Sequence, residues 1–81
     1  MTNGQLLRRY EALQRAAQRA HDSYSRTRGA RKSKGGRIES VTETRARCRR
    51  DEKMSSFQSF HTANRQLLTS LGHPTAEINY R

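Results

Sequence analysis

Six cations fall within twelve residues, Arg26, Arg28, Arg31, Lys32, Lys34 and Arg37, interleaved with three glycines and no acid. Guanidinium forks grip phosphate oxygens bidentately, and ammonium groups bind them as point charges. A segment of this kind repels itself and gains free energy by displacing counterions from an anionic polymer. Its simpler role would be a solvated loop that aids solubility. Solubility needs less charge than this, and acids serve it better. A second cluster, Arg45, Arg47, Arg49, Arg50 and Lys53, includes Asp51 and Glu52. On a helix, Glu43–Arg47 and Arg47–Asp51 are attractive pairs and Arg49–Lys53 is repulsive, so part of this charge can be absorbed locally. The functional alternative is a helix whose Arg45, Arg49 and Arg50 touch phosphates along a groove.

Other chemistry is poorly provided for. His21, His61 and His73 are scattered, with no carboxylate or thiolate companion set for a metal, and they are expected at boundaries or on the surface. Cys48 lies among Arg47, Arg49 and Arg50 without a nearby histidine base or second cysteine, and is expected to be a half-buried helix residue. Paired carboxylates, a nucleophile elbow and a Walker-type phosphate loop are all missing. The sequence therefore predicts a protein that is not an enzyme and carries no cofactor or metal.

The whole chain has a formal net charge of +10 over 81 residues. Leu, Ile, Val and Phe number eleven, under one fifth of the chain, which with the charge approaches the composition of disordered proteins. A chain this short also buries only about 60% of its unfolded surface. The expectation is one small domain, marginally stable without a partner. The single cysteine points to an intracellular, reducing compartment. The first 37 residues hold ten Arg and Lys against two acids, a composition shared with mitochondrial transit peptides. Their regular apolar spacing favours a retained helix, and cytoplasmic and mitochondrial settings both stay open. No apolar run approaches the roughly eighteen residues of a membrane span, and the basic segment is not amphipathic and lacks Trp or Phe anchors, so no membrane partner is expected.

Two helices must position these groups. Leu6, Tyr10, Leu13, Ala17, Ala20 and Tyr24 follow alternating steps of four and three, one stripe on a helix predicted over 3–25. Thr2 and Gln5 stand at capping-box spacing before it. Gly29 is read as its end, leaving a basic glycine-rich connector over 26–39. Ser40 to Glu43 is a second capping box, opening a long helix over 41–71 that has room for a kink at Ser55–Ser56. Along it Phe57, Phe60, Asn64, Leu67 and Leu71 form the second stripe, and Gly72 with Pro74 stops it. The fold class predicted is all-α: an antiparallel two-helix hairpin with a short tail over 72–81. Leu6, Tyr10, Leu13, Phe57, Phe60, Leu67 and Leu71 are its helix-pairing residues.

The function expected from these features is nucleic-acid binding, as an architectural component of a ribonucleoprotein or ribosome-like assembly among other proteins. RNA is favoured over DNA because arginine outnumbers lysine fourteen to three, and planar guanidinium also stacks on unpaired bases. One alternative is a helical adaptor or structural subunit whose stripes pair with partner helices, homodimerisation into a four-helix bundle included. The other is a non-specific DNA-binding protein of prokaryotic or viral origin.

Overall fold

The computed structural model describes residues 2–80. Helix α1 spans Asn3–Ser33, helix α2 spans Val41–Ala63 and helix α3 spans Arg65–Ser70, with no strand among the described residues. The fold is the all-α hairpin that the two stripes predict: α1 and α2 run antiparallel in one rod of 48 × 19 × 16 Å.

Helix α1 opens with the Thr2–Gln5 box intact. The Thr2 hydroxyl accepts the Gln5 amide at 3.2 Å, and the Gln5 side chain accepts the Thr2 amide at 3.0 Å. Its other end differs from expectation. The helix passes through Gly29 and ends eight residues beyond the predicted boundary. A mid-helix glycine costs only about 1 kcal/mol against alanine, which does not by itself stop a helix. The actual stop is at Gly35, whose φ of 74° is open to glycine at no steric cost. There the Gly35 amide donates to the Lys32 carbonyl and the Gly36 amide to the Arg31 carbonyl, both at 3.0 Å, the paired bonds of a Schellman cap. The connector is therefore 34–40 rather than 26–39. Arg26, Arg28, Arg31 and Lys32 ride on a rigid helix.

The same cap recurs at Gly72, as the sequence predicts. Gly72 has a φ of 92°, its amide donates to the Thr69 carbonyl at 3.1 Å, and the His73 amide donates to Leu68 at 2.8 Å. The helix expected to run unbroken over 41–71 is nonetheless interrupted, at Asn64 and not at the serines. The Asn64 amide is shared between the carbonyls of Phe60 and His61, and its side-chain amide also donates to Phe60 at 3.0 Å. Competition of this local kind is why asparagine ends helices more readily than it continues them.

The second stripe is also turned by one position. The seam runs Phe57, His61, Asn64, Leu68 and Leu71, with Phe57 and Leu68 fully buried. Leu71 is half-buried in it and Phe60 half-buried beside it, whereas Leu67, expected to pair helices, is 52% exposed. His61 can hold a core position because its Nε2 bonds the His73 carbonyl at 2.8 Å. Leu6, Tyr10 and Ala17 of α1 complete the core, with Leu13 packed against it.

After Gly72 the chain returns along α1, parallel to it. Gln14 donates to the Glu77 carbonyl at 3.0 Å and Gln18 to the Asn79 carbonyl at 2.9 Å, while the Asn79 amide donates back to Gln18 at 2.7 Å. Ala76 and Ile78 face inward onto the core. The Tyr10 hydroxyl reaches the Thr75 carbonyl at 3.4 Å, and its ring lies 5.2 Å from Phe57 and 4.5 Å from His73, centroid to centroid. Burial pushes the Tyr10 phenol above its ordinary value of 10.0.

Candidate nucleic-acid interface

Helical spacing sorts the cations into two rails. On α1, Arg8, Arg15, Arg19 and Arg26 recur at seven, four and seven residues and share one face; on α2, Arg45, Arg49 and Lys53 recur at four. Because the helices are antiparallel, Arg26 comes opposite Arg45, and Arg19 opposite Lys53. Between the rails lies a groove of about 1010 Å³. Its floor is made of small side chains, Ala16, Ala20, Thr44 and Cys48, and its walls carry Arg19, Arg26, Arg45, Arg49 and Lys53 with Asp22 and Glu52. These five cations are exposed, and none is in a salt bridge among the described residues. Arg19, which the sequence places off the apolar stripe within reach of phosphate, and Lys53 both line this surface although neither is in the expected ligand set. The seven-residue spacing of Arg19 from Arg26 was the available signal.

Three of the seven acids are turned to structural work, while Asp22 and Glu52 stay in the groove walls. Glu43, 1% exposed, takes the Arg31 Nε–H on both carboxylate oxygens at 2.9 Å. Arg31 also donates from Nη1 to the Gly36 carbonyl at 2.9 Å. Arg31 is thus a brace across the hairpin turn, removed from the set of expected phosphate ligands. Glu43 was expected to reach back to the Ser40 amide; only half of that box forms, the Ser40 hydroxyl accepting the Glu43 amide at 3.1 Å. Its other expected partner, Arg47, bonds Glu39 at 3.4 Å instead. Asp51 pairs with Arg50 at 3.0 Å rather than with Arg47. The Arg50 guanidinium also sits 4.3 Å from the centre of the Tyr24 ring, a cation–π contact that holds it on α1. Arg50, like Arg31, is bound within the fold.

The remaining expected ligands, Arg28, Lys32, Lys34 and Arg37, are exposed around the hairpin tip. Arg28 and Lys32 lie two and six residues beyond Arg26 on α1, turned away from the groove face, and Lys34 and Arg37 lie in the connector. Cys48 is exposed on the groove floor, in contrast to the half-buried position expected of it. His21 and His61 are buried instead of lying at the surface. His21 Nδ1 has no hydrogen-bond partner among the described residues, and its ring meets Tyr80 edge-on at 5.0 Å. No group of three or more metal-ligating side chains converges among the described residues, and no helix there is long and apolar enough to cross a membrane. Comparison with known protein families, curated proteins and solved structures finds no match for this chain.

Proposed function

We propose that the protein binds single-stranded nucleic acid, RNA in preference to DNA, along the cation-lined groove between α1 and α2, as an architectural component of a ribonucleoprotein assembly. One observation carries this reading. The groove's five cations are exposed and unpaired, while Glu39, Glu43 and Asp51 are each engaged by an arginine outside the groove. A shallow channel with cationic walls tracks a phosphodiester backbone whatever its sequence. The ladder Arg45–Arg49–Lys53 advances about 6 Å per step along α2, placing one cation beside each successive stretch of backbone. Small residues on the floor leave room for sugars between the walls.

The adaptor alternative would draw on the two apolar stripes. These face each other and the returning tail, with Leu6, Tyr10, Phe57 and Leu68 buried, which leaves little seam to offer a partner helix or a second copy. The test is a titration of a fluorescent single-stranded RNA at several salt concentrations. If about six phosphates are neutralised, log K falls against log salt with a slope near −4 to −5 for single strands. Replacing Arg45, Arg49 and Lys53 by alanine should make that slope shallower by about two. A flat salt dependence of the unmodified protein, or assembly with protein partners untouched by nuclease, would overturn the proposal; tighter binding of single-stranded DNA would leave the groove and reverse the RNA preference.

A further inference from the structure

The hairpin turn is braced more heavily than a simple connection requires, and its apex is apolar. Ile38 is 86% exposed and Val41 is 68% exposed, the two most exposed large apolar side chains among the described residues. They stand three residues apart, Ile38 in the connector and Val41 at the first position of α2, and the connector is held at both ends. The Schellman cap at Gly35 fixes one side and the Ser40 cap the other. Arg31 ties the two together by holding the Gly36 carbonyl and the buried Glu43 carboxylate. Gly36 is required for this: a Cβ there would lie 2.9 Å from Arg31 Cγ and 3.3 Å from the Arg31 carbonyl oxygen. Glu39, the acid beside Ile38, is drawn back toward α2 by Thr44 at 2.7 Å and Arg47 at 3.4 Å. What remains facing outward is an aliphatic tip next to Arg37, with Lys34 close by in the turn.

From this arrangement we infer that Ile38, supported by Val41, is a wedge that packs on the bases of the nucleic acid whose phosphates the groove and tip cations hold. The inference rests on the proposed function and adds base contact to it. An aliphatic side chain inserted at a base step exchanges stacking for apolar burial, which succeeds only when the wedge is held rigidly and the flanking phosphates are neutralised. At this turn the two caps and the Arg31 brace supply the hold, and Arg37, beside Ile38, is the cation placed to meet a flanking phosphate. A strongly cationic surface does not suit a second copy of this chain, which carries the same charge of +10. An anionic bilayer would match the charge, but it is normally engaged through a larger apolar face with aromatic anchors than two aliphatic side chains supply.

The experiment uses the full chain and a single-stranded RNA carrying 2-aminopurine, whose fluorescence rises when it unstacks, with Ile38→Ala and Gly36→Ala as variants. Ile38 is exposed, so its replacement leaves the fold intact. The expected result is a fluorescence rise on binding that Ile38→Ala removes, with affinity about five-fold weaker and the salt slope unchanged, since the lost contact is apolar. Gly36→Ala alters no charge and should diminish the same rise while Ile38 is still present. Binding by Ile38→Ala with undiminished affinity and an undiminished rise would overturn the wedge and leave the groove standing. Salt-independent or absent binding by the unmodified protein would overturn both. Cosedimentation with phosphatidylserine vesicles that Ile38→Ala abolishes, without any change in RNA affinity, would reassign the tip to a membrane surface.

Discussion

Arg31 and Glu43 are twelve residues apart and together decide the shape of the hairpin's closed end. The Glu43 carboxylate, 1% exposed, accepts the Arg31 Nε–H on both of its oxygens. Removing one partner of such a pair leaves the other charge buried without compensation, whereas replacing both by apolar residues is often neutral. Arg31→Ala is therefore expected to destabilise the fold by about 3 kcal/mol, measured by urea denaturation. Arg28→Ala, three residues away on an exposed site, should change stability by less than about 0.5 kcal/mol. Arg31→Lys should fall between them, because an ammonium cannot reproduce the fork that spans Glu43 and Gly36. Equal stability of the Arg31→Ala and Arg28→Ala proteins would contradict the brace.

At the level of elements, the returning tail is held by polar rungs as well as by the packing of Ala76 and Ile78 on the core. Gln14 and Gln18 supply three hydrogen bonds to the backbone of Glu77 and Asn79. These rungs are exposed, so each contributes toward the low end of the usual 0.5–1.5 kcal/mol, roughly 0.5 kcal/mol apiece. Gln14→Ala with Gln18→Ala should release the tail before the helices: amide exchange at Asn79 rises sharply in the double variant while amides within α1 stay protected. Uniform loss of protection throughout the chain would instead mean that the tail and hairpin unfold as one unit.

The tail's course was also the part of the fold least legible in the sequence. The helix starts at Thr2 and Ser40 and the stop at Gly72 follow from cap chemistry that acts within four residues. The hairpin follows from two stripes of similar length. Gly29 and Gly35 carry the same residue type, and only the bonds made by Gly35 and Gly36 separate a tolerated glycine from a terminating one. Glu43 looks like half of a local box, and its actual partner lies across the turn. Glutamines on an otherwise polar face give no periodic signal for a strap. At the interface, the basic clusters were legible as charge. That Arg31 and Arg50 belong to the fold while Arg19 joins the groove depends on which acids and rings the packing brings near.

The molecule as a whole is a rod 19 × 16 Å in section. A B-form major groove is about 12 Å wide and admits one helix, so this two-helix rod cannot enter it side-on. Under the proposed function, the shallow cation-lined channel between the two helices tracks a single phosphodiester backbone. Single-stranded RNA should accordingly compete at least about ten-fold better than duplex RNA of equal length at the same salt, as read by fluorescence anisotropy. Equal competition by the duplex would place binding on the outer faces of the rod, with Arg28, Lys32, Lys34 and Arg37 at the tip as the first positions to test.

The parallel strap along α1 works as a vernier. Its contacts fall every four residues on the helix, at Tyr10, Gln14 and Gln18, and every two on the strap, at Thr75, Glu77 and Asn79. Four helical residues advance about 6.0 Å and two extended residues about 6.6 Å, so the scales drift apart by roughly 0.6 Å per rung. Side chains as long as glutamine absorb that mismatch over a few rungs only. Inserting a single residue between Gly72 and Thr75 would throw every rung out of phase at once, while inserting two would restore the alternation one rung further along.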